Sequence, residues 1–367
     1  MPLRVLFLNW RDERHPEGGG AERYLRVITE GLASRGHDVT VLTASYPGAL
    51  PEETVNNVRH VRRGGRYSIY PRALVSQAMG AHPADVVVDV QNGVPYLSPL
   101  VRRVPVINLV HHVHREQWPV VFGPRVSRMG WWLESGLAPL VYRHASYVAV
   151  SSSTQRDLVE VGVDPQRISV IHNGTDVPPD LAAARSRHPV VAVVGRLVPQ
   201  KQVEIAMRSV ATLADDFPDL ELRVVGSGYW EGRLREEARG LGIADRTTFT
   251  GHVSESEKHR ILAEAWVHAL PSLKEGWGLV VTEAGVHGTP TVAFASAGGT
   301  TDSIVDGRTG ILVPDGQSEF TTALGRLLDD EEHRTRLSTQ AVEWARRFSW
   351  SESISRWDDL VRRTART

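Results

Sequence analysis

The most informative stretch for the fold is residues 270–290. It reads Leu-Pro-Ser-Leu-Lys-Glu-Gly-Trp-Gly-Leu-Val-Val-Thr-Glu-Ala-Gly-Val-His-Gly-Thr-Pro. The apolar residues 267–270 predict a strand, which the Pro-Ser pair that follows ends. Gly276 and Gly278 allow the backbone to turn sharply and to approach a ligand closely. Residues 279–286 then predict a helix that stops at the next glycine. The stretch therefore predicts a strand, a glycine-rich turn and a helix.

Two carboxylates flank this turn. Glu275 is predicted on the loop, and Glu283 one turn inside the helix. A helix N-terminus attracts anions, and carboxylates accept hydrogen bonds from sugar hydroxyls. The alternative for either glutamate alone is an ordinary solvated carboxylate, which describes most surface Glu residues. The combined pattern favours a ligand site.

The composition is that of a globular protein with about two domains. The chain has 367 residues, of which 41% are hydrophobic and 23% are charged, and its net charge is -1. Because a nearly neutral chain has no global field that would recruit nucleic acid, we expect no nucleic-acid partner. The absence of cysteine excludes disulfides, thiolate catalysis and cysteine-ligated metals.

The sequence gives no sign of a membrane-spanning helix. No apolar run approaches the ~18 residues that such a helix needs. Residues 3–10 form a short strand-like run that charged residues follow at once, which is not the pattern of a signal peptide. We therefore expect a cytoplasmic location, with peripheral attachment at the inner face of a membrane as an option.

Strand-like apolar runs alternate with helix-like segments along the whole chain. Continuous apolar strands such as 104–110 are typical of parallel sheets covered on both faces, and the alternation predicts doubly wound α/β domains. The Pro-containing residues 174–189 interrupt this pattern. We predict two Rossmann-like domains, 1–178 and 179–348, that face each other across a cleft. A C-terminal helix, 349–367, is predicted to return to the first domain.

A glycine triplet, 18–20, lies between the first predicted strand and the helix that contains Glu22. Bare N–H groups and a helix dipole meet there, so that Gly19 and Gly20 would suit a phosphate or a sugar hydroxyl. A flexible turn is the alternative. A Walker loop is excluded, since no Gly-Lys-Ser/Thr sequence follows the triplet.

Two cations, Arg196 and Lys201, lie on the loop after the predicted strand 190–195. A guanidinium and an ammonium group at this spacing would clamp a diphosphate, although either one alone is more simply a solvated surface cation. After the next strand, Gly226 and Gly228 have the wrong spacing for a dinucleotide fingerprint. Their turn would still admit the edge of a nucleotide.

Three histidines, His111, His112 and His114, follow the strand 104–110. Their spacing is not a clean zinc pattern, and Glu116 is the one carboxylate nearby. A polar contact to a substrate is therefore favoured over a metal ligand. No Asp-x-Asp sequence occurs, and we expect no metal and no other cofactor.

Residues 124–143 predict an amphipathic helix. Trp131 falls on the face opposite the apolar stripe, with Arg128 and Ser135. An exposed Trp beside Arg would suit a membrane interface or a lipid-linked acceptor. The alternative, which is commoner for a single large aromatic residue, is that Trp131 packs beneath a neighbouring loop.

Together these motifs resemble glycosyltransferase family 4, which comprises retaining enzymes of the two-domain GT-B fold. The resemblance runs in order through nearly the whole chain. The matching residues are Gly-Gly-Ala-Glu at 19–22, His111, Asn-Gly-Thr-Asp at 173–176, Gly-Arg-Leu at 195–197, Lys201, Gly226, Gly228, Gly251, Val253, Glu-Gly-Trp-Gly-Leu at 275–279, Glu283, Gly-Thr-Pro at 288–290, and Gly298-Gly299.

The resemblance implies transfer of a hexose-type sugar from a nucleoside-diphosphate sugar to a sugar, lipid-linked or small-molecule acceptor, without a metal. Arg196 and Lys201 would hold the diphosphate, Glu283 the ribose, and Glu275 the sugar. With His111 near the reacting carbon, the catalytic set would be His111, Arg196, Lys201 and Glu275. The donor would be bound by Gly19, Gly20, Arg196, Lys201, Gly226, Gly228, Val253, Glu275, Gly276, Trp277, Gly278, Leu279 and Glu283. The acceptor-side candidates are Glu22, His112, His114 and Trp131.

Some details depart from the family pattern. His112 stands where many members carry Asp, which leaves open whether His111 or His112 is the key histidine, and Asp302 stands where Glu is commoner. The alternatives are a nucleotide-sugar epimerase of the same fold, a phosphorylase, which would need a pyridoxal-binding lysine, and a catalytically silent sugar-nucleotide-binding protein. The sequence leaves open the donor base, the sugar, the acceptor and the oligomeric state.

Overall fold

The computed structural model describes residues 1–178 and 184–366. The chain divides into two compact units, one formed by Met1–Gly174 with Trp350–Thr367 and the other by Thr175–Ser349. The start of the predicted second domain, at 179, and most of the Ala-rich piece of the predicted link lie outside the described residues.

The first unit contains a sheet of eight strands in the order β3-β4-β2-β1-β5-β6-β7-β8. All neighbouring pairs are parallel except the hairpin of β3 and β4. The strands are β1 (Arg4–Leu8), β2 (Asp38–Thr43), β3 (Glu52–Val55), β4 (Val58–Arg62), β5 (Val86–Gln91), β6 (Val106–Val110), β7 (Ser146–Ala149) and β8 (Ile168–Val170). The helices of its continuous part are α1 (Gly20–Ser34), α2 (Ile69–Ala78), α3 (Trp118–Val121), α4 (Pro124–Trp132), α5 (Ala138–Val141) and α6 (Ser152–Glu160).

The second unit contains a six-stranded, fully parallel sheet in the order β11-β10-β9-β12-β13-β14. Its strands are β9 (Val190–Val194), β10 (Glu221–Val225), β11 (Thr247–Gly251), β12 (Val267–Leu270), β13 (Thr291–Phe294) and β14 (Gly310–Val313). Its helices are α7 (Val203–Leu213), α8 (Glu231–Gly240), α9 (Glu255–Glu264), α10 (Leu279–Val286), α11 (Thr300–Ser303), α12 (Gln317–Asp329) and α13 (Glu331–Ala345). The strand at 267–270 and the helix at 279–286 are therefore confirmed.

The C-terminal helix α14 (Trp350–Thr364) belongs to the first unit and packs on α1. The indole N–H of Trp357 donates a hydrogen bond to the hydroxyl of Tyr24 at 2.5 Å, and both side chains are fully buried. A Cβ atom at Gly31 of α1 would lie 2.5 Å from Cδ1 of Ile354, so a small residue is needed where the helices cross. The predicted return of the C-terminal helix to the first domain is confirmed.

The hairpin of β3 and β4 was not predicted from the sequence. Its strands are rich in Glu and Arg, and β3 lies at the edge of the sheet, with no residue buried. The turn between them uses Asn56 and Asn57, which have φ angles of 49° and 63°. Asn tolerates this left-handed conformation better than most residues, so the Asn-Asn pair is the sequence signal for the hairpin.

Two buried histidines make the stability of the fold depend on pH. Burial lowers the pKa of His268 to about 3 and that of His111 to about 4. In the unfolded chain each has a pKa of about 6.5, so below that pH the unfolded state takes up protons that the folded state does not. Their contribution is fully present above pH ~6.5 and is lost progressively towards the folded pKa values.

We therefore expect the free energy of unfolding to fall by up to about 1.4 kcal/mol per histidine for each pH unit below 6.5. Urea unfolding at several pH values between 7 and 5, followed by circular dichroism, measures this slope. The His268→Gln variant should have a shallower slope than the wild type. Equal slopes would show that His268 does not contribute.

Candidate functional site

The strand order of the second unit reverses between β9 and β12. The next strand along the chain after β9 lies on one side of it, and β12 with its successors lies on the other. Ligands of open parallel sheets bind outside the carboxyl ends of the strands at such a reversal. The loop after β9 carries Arg196 and Lys201, and the loop after β12 carries Glu275. The topology thus brings together residues that are far apart in the sequence.

Lys201 and Glu275 form an ion pair across these two loops. The ammonium Nζ of Lys201 lies 2.5 Å from Oε1 of Glu275, and both side chains are largely shielded from solvent. A backbone hydrogen bond of 2.9 Å from Leu273 N–H to the Gln200 carbonyl joins the same loops. Arg196 is exposed on the first loop. The pair places a cation where an anionic ligand would bind and fixes the carboxylate beside it.

Glu283 lies in α10 and is 5% exposed. Its Oε1 accepts a hydrogen bond of 2.9 Å from the ammonium group of Lys258 on α9, which also pairs with Glu255. Lys258 was not predicted as a site residue from the sequence. The signal that could have found it is the rarity of lysine, since Lys201, Lys258 and Lys274 are the three lysines of the chain. Two lysine–glutamate pairs therefore flank the glycine-rich turn.

The glycine pair Gly298-Gly299 supports the loop that carries Glu275. The Glu275 N–H donates to the Ala297 carbonyl at 2.7 Å, and the Gly299 N–H donates to the Glu275 carbonyl at 2.9 Å. A Cβ atom at Gly299 would lie 2.1 Å from the carbonyl oxygen of Gly276. Any side chain at this position would push the Glu275 loop away, so the close approach of the two loops requires glycine at position 299.

Close packing against the neighbouring backbone also requires glycine at positions 226 and 228. Cβ atoms at these positions would lie 2.0 Å from the Gly195 carbonyl oxygen and 2.2 Å from that of Leu197. The turn after β10 is thus covered by the backbone of the loop after β9. The expectation that the turn admits the edge of a nucleotide stays a prediction. The assignment of both glycines to the lining of a donor pocket stays a prediction as well.

The other predicted donor-binding residues of the second unit differ in burial and in backbone conformation. The indole of Trp277 is 2% exposed and packs edge-on against Phe348 at 4.8 Å, so the side chain belongs to the core and only its backbone is left to serve a ligand. Gly278 has a φ of 83° and starts α10. Gly276 and Leu279 are half-buried on either side of this pair. Val253, also half-buried, packs against a small core cluster beside the sheet.

In the first unit, Glu22 holds the glycine loop. Its carboxylate accepts hydrogen bonds of 2.8 Å from the guanidinium of Arg11 and from the Gly19 N–H. Glu22 is 2% exposed, and Arg11 is equally enclosed at 4%. Glu22 is thus a buried support of the loop, and its assignment to the acceptor side stays a prediction. Gly20 is exposed at the start of α1.

His111 is buried at the end of β6 and is 5% exposed. Burial lowers its pKa to about 4, so the imidazole is neutral near pH 7. Its ring meets Tyr24 edge-on at 5.3 Å. Within the described part of the chain, its Nε2 has no hydrogen-bond partner. A buried, neutral ring nitrogen of this kind is suited to one hydrogen bond with a ligand.

The other two histidines are held by protein groups. The His114 Nδ1 lies 2.8 Å from Oε1 of Glu134, and Glu134 also accepts a hydrogen bond of 2.9 Å from the Trp118 indole. The His112 Nε2 lies 3.1 Å from Oε1 of Gln117. Glu134 is a buried carboxylate that the sequence analysis missed, because no local pattern distinguishes it from a surface Glu in a helix. Of the three histidines, His111 is the one with a buried nitrogen that lacks a protein partner among the described residues.

Trp131 packs inward, as the alternative interpretation of this segment held. It is half-buried against the core cluster of the first unit, and the Arg115 guanidinium lies 4.9 Å from its ring centroid. The exposed indole is that of Trp132, which is 59% exposed. The predicted single helix consists of α4, a π-helical stretch, Leu133–Leu137, and α5. The assignment of Trp131 to the acceptor side stays a prediction.

The described residues contain no group of three or more His, Asp or Glu side chains placed to hold a metal ion. Among the helices of the described ranges, none combines the length and the apolar character needed to cross a membrane.

The fold has the architecture of the GT-B glycosyltransferases. Over 98% of both chains, the structure is similar to a sucrose-phosphate synthase from Thermosynechococcus elongatus, with a TM-score of 0.82 and 21% identity. It is also similar to WaaG, a glycosyltransferase involved in lipopolysaccharide biosynthesis, with a TM-score of 0.77 and 19% identity over 97% of this chain and 99% of WaaG. HepE from Anabaena, solved in complex with UDP-glucose, has a TM-score of 0.75 at 19% identity over 99% of both chains.

The chain belongs to glycosyltransferase family 4. The family model described as "Glycosyltransferase Family 4" matches residues 18–178, and the model "Glycosyl transferases group 1" matches residues 182–344.

Two relatives are D-inositol 3-phosphate glycosyltransferases by name. The protein from Corynebacterium glutamicum is 38% identical over 240 residues, which is 59% of this chain and 57% of that protein. The protein from Catenulispora acidiphila is 27% identical over 388 residues, which is 95% of this chain and 91% of that protein. The match to the first of these relatives thus spans little more than half of its length.

Proposed function

We propose that the protein is a retaining glycosyltransferase that moves a hexose-type sugar from a nucleoside-diphosphate sugar to an acceptor hydroxyl without a metal ion. The observation that carries this proposal is the Lys201–Glu275 pair at the strand-order reversal of the second unit. The same loops carry the exposed Arg196, and the buried Glu283 lies in the next helix. Membership of family 4 supports the assignment.

The two cations would stabilise the leaving diphosphate. Negative charge grows on the phosphate oxygens as the bond to the sugar breaks, and Arg196 and Lys201 would meet this charge as fixed donors. The first turn of α10 adds N–H groups that lack partners within their own helix. Charge stabilisation of this kind needs no metal. Glu275, held by Lys201 at 2.5 Å, would then orient the hydroxyls of the sugar.

Glu283 would accept hydrogen bonds from the ribose hydroxyls. Lys258 pairs with it at 2.9 Å, which fixes the direction of the carboxylate. His111 and the backbone at Gly19 and Gly20 would serve the sugar and the phosphates, as the resemblance implies. No carboxylate is assigned as a nucleophile, so we propose transfer on the same face of the sugar, with the leaving phosphate taking the acceptor proton.

The donor can be identified with a panel of nucleoside-diphosphate sugars. HepE was solved with UDP-glucose, which makes UDP-glucose and the corresponding GDP sugars the first compounds to test. Binding of the right donor should raise the melting temperature, since a ligand that binds only the folded state stabilises it. A transferase should then release the nucleoside diphosphate faster when an acceptor is present. Interconversion of two donor sugars without an acceptor would indicate an epimerase instead, and binding without turnover a silent binding protein.

EDTA is expected to leave transfer largely intact, because the proposed charge stabilisation comes from Arg196, Lys201 and helix N–H groups. The measurement is the initial rate of nucleoside-diphosphate release with EDTA and after addition of Mn²⁺ or Mg²⁺. If EDTA abolished transfer and Mn²⁺ restored it, the metal-free mechanism would be wrong.

A further inference from the structure

Aromatic and arginine side chains gather at one edge of the sheet of the first unit. They lie on the loops that follow β1, β2 and β4 and at the start of α2. We call this group the aromatic–arginine cluster and define it by Trp10, His15, Tyr46, Arg66 and Arg72. The strand order reverses at β1, because β2 lies on one side of it and β5 on the other. Ligands of such sheets bind outside the carboxyl ends of the strands at the reversal.

Three half-buried rings form one wall of the cluster. The centroid of the His15 ring lies 5.9 Å from that of Trp10 and 5.3 Å from that of Tyr46. The backbone holds Trp10 in place, since its N–H donates to Oδ1 of Asn9 at 3.0 Å and its carbonyl accepts from the Ala44 N–H at 3.2 Å. Fixed aromatic faces of this kind suit the apolar face of a ring-shaped ligand such as a sugar.

Two guanidinium groups contact the Trp10 ring. The Cζ atom of Arg11 lies 4.1 Å from the Trp10 ring centroid, and that of Arg66 lies 5.2 Å from it. Arg66 also lies 5.7 Å from the ring centroid of Tyr67. Arg11 is buried, whereas Arg66 is exposed. The exposed guanidinium is therefore held beside the aromatic wall and is open to a ligand.

The arginines of the cluster carry charge that neighbouring carboxylates do not neutralise. Residues 54–84 contain five arginines and no acidic residue. Three of these arginines pair with carboxylates of β3 or of the loop after β1. The other two are Arg66 and Arg72, and no carboxylate in the described part of the chain pairs with either. An anionic ligand would supply the missing counter-charge.

The loop that carries Arg66 is ordered by contacts of its own. The hydroxyl of Ser68 accepts a hydrogen bond of 2.8 Å from the Gly65 N–H. A Cβ atom at Gly64 would lie 2.7 Å from Cδ of Arg72, so the side chain of Arg72 runs across this loop. Both arginines are thus presented by a preformed loop, which lowers the entropy cost of binding an anion.

A buried ion pair ties the cluster to the glycine loop of the first unit. Arg11, next to Trp10 in the chain, donates to the carboxylate of Glu22 at 2.8 Å. The same carboxylate accepts a hydrogen bond of 2.8 Å from the Gly19 N–H. The aromatic wall is therefore fixed relative to the loop that would serve the donor.

We propose that the aromatic–arginine cluster binds the acceptor and that this acceptor is a sugar with an anionic group. The apolar face of the sugar ring packs on Trp10, and Arg66 and Arg72 bind a phosphate or a carboxylate of the sugar. The inference rests on the proposed transfer reaction and adds the chemical class of the acceptor. It places the acceptor on residues other than the acceptor-side candidates predicted from the sequence.

Acceptor kinetics with the donor found in the nucleotide-sugar panel test the inference. Glucose 6-phosphate represents the phosphate, glucuronic acid the carboxylate, and glucose the neutral reference. At least one of the two anions should have a kcat/KM at least about tenfold above that of glucose. High salt should reduce this advantage. Calorimetric binding of the three compounds to the nucleoside-diphosphate complex is the second measurement.

Variants of the cluster separate the charge from the aromatic wall. Arg66→Gln should raise the KM for the anionic acceptor about tenfold to a hundredfold, with kcat and the KM for glucose nearly unchanged. Arg66→Lys keeps the charge and should recover part of the affinity. Trp10→Leu should raise the KM for both kinds of acceptor, whereas Trp10→Phe keeps an aromatic face and should raise it less.

The matched control is Arg103→Gln, which removes an exposed arginine near the amino end of β6, at the opposite edge of the sheet. It should behave like the wild type, and circular dichroism should show all variants folded. The acceptor inference is overturned if neither anion binds, if glucose binds as tightly as both anions, or if Arg66→Gln has the same acceptor KM as Arg103→Gln.

Nucleoside-diphosphate affinity distinguishes this inference from the proposed function. The Arg66→Gln variant should bind the nucleoside diphosphate as tightly as the wild type, because Arg66 is not among the residues assigned to the donor. If the wild type bound no nucleoside diphosphate, the proposed function would fail, and the acceptor inference with it. Normal nucleoside-diphosphate binding without a preference for anionic acceptors would overturn the acceptor inference alone.

Discussion

The Lys201→Ala variant is expected to lose about a hundredfold to a thousandfold in kcat/KM for transfer, because it removes a cation that contacts the diphosphate in the bound donor as well as in the transition state. The loss should lie chiefly in donor affinity. Lys201 supplies one of the two cations assigned to the diphosphate, and it also holds Glu275 in place at 2.5 Å. Initial rates over a range of donor concentrations separate kcat from KM.

Two control variants isolate the role of Lys201. Arg326→Ala removes an exposed cation from α12 of the same unit and should leave the rate unchanged. Lys201→Ala/Glu275→Gln removes both charges of the pair, so a stability loss caused only by the unpaired carboxylate should be relieved in it. Transfer should remain low in that double variant. Full activity of Lys201→Ala would remove the basis of the site assignment.

The Glu283→Gln variant is expected to bind the nucleoside diphosphate about tenfold to a hundredfold more weakly, because charged hydrogen bonds to the ribose are replaced by neutral ones. Its affinity for inorganic pyrophosphate, measured as inhibition of transfer, should stay near that of the wild type. Lys201→Ala should show the opposite pattern, with weaker pyrophosphate inhibition.

The matched control for Glu283→Gln is Glu332→Gln, which alters an exposed Glu on α13 that pairs with Arg336. Its donor affinity should equal that of the wild type. If Glu283→Gln weakened pyrophosphate and nucleoside diphosphate equally, Glu283 would act on the phosphates or on the fold and not on the ribose.

The regular elements of the second unit follow from local sequence patterns. The bounds of β12 and α10 agree with those predicted, since each is set by a local signal such as the Pro-Ser pair after β12 or the glycines around α10. The helix α12 was not predicted, although Phe320, Ala323, Leu324, Leu327 and Leu328 have helical spacing and are buried. A signal for that helix was therefore present.

The side-chain pairs of the candidate site could not be predicted in the same way. Lys201 and Glu275 are 74 positions apart, and Lys258 and Glu283 are 25 apart. The first contact depends on the adjacency of β9 and β12, and the second depends on the packing of α9 against α10. No local pattern contains either arrangement. The same holds for Gly226 and Gly228, whose close neighbours come from the loop after another strand.

Burial was the other quantity that local patterns could not supply. Trp131 and Trp132 are adjacent aromatic residues, and helical periodicity selected Trp131 as the exposed one. In the structure Trp132 is exposed and Trp131 is half-buried, and Gly130 on the inner side of α4 packs against the Trp118 ring. Glu22 was similarly selected as a surface contact and is instead a buried partner of Arg11.

Isothermal titration calorimetry with nucleoside diphosphates and the matching monophosphates tests directly whether the second unit holds a sugar-nucleotide site. At least one diphosphate is expected to bind much more tightly than its monophosphate, and Lys201→Ala should abolish most of this difference while Arg326→Ala should not. If no nucleoside diphosphate bound, or if mono- and diphosphates bound equally in the wild type and in Lys201→Ala, the assignment of a sugar-nucleotide site to the second unit would be contradicted.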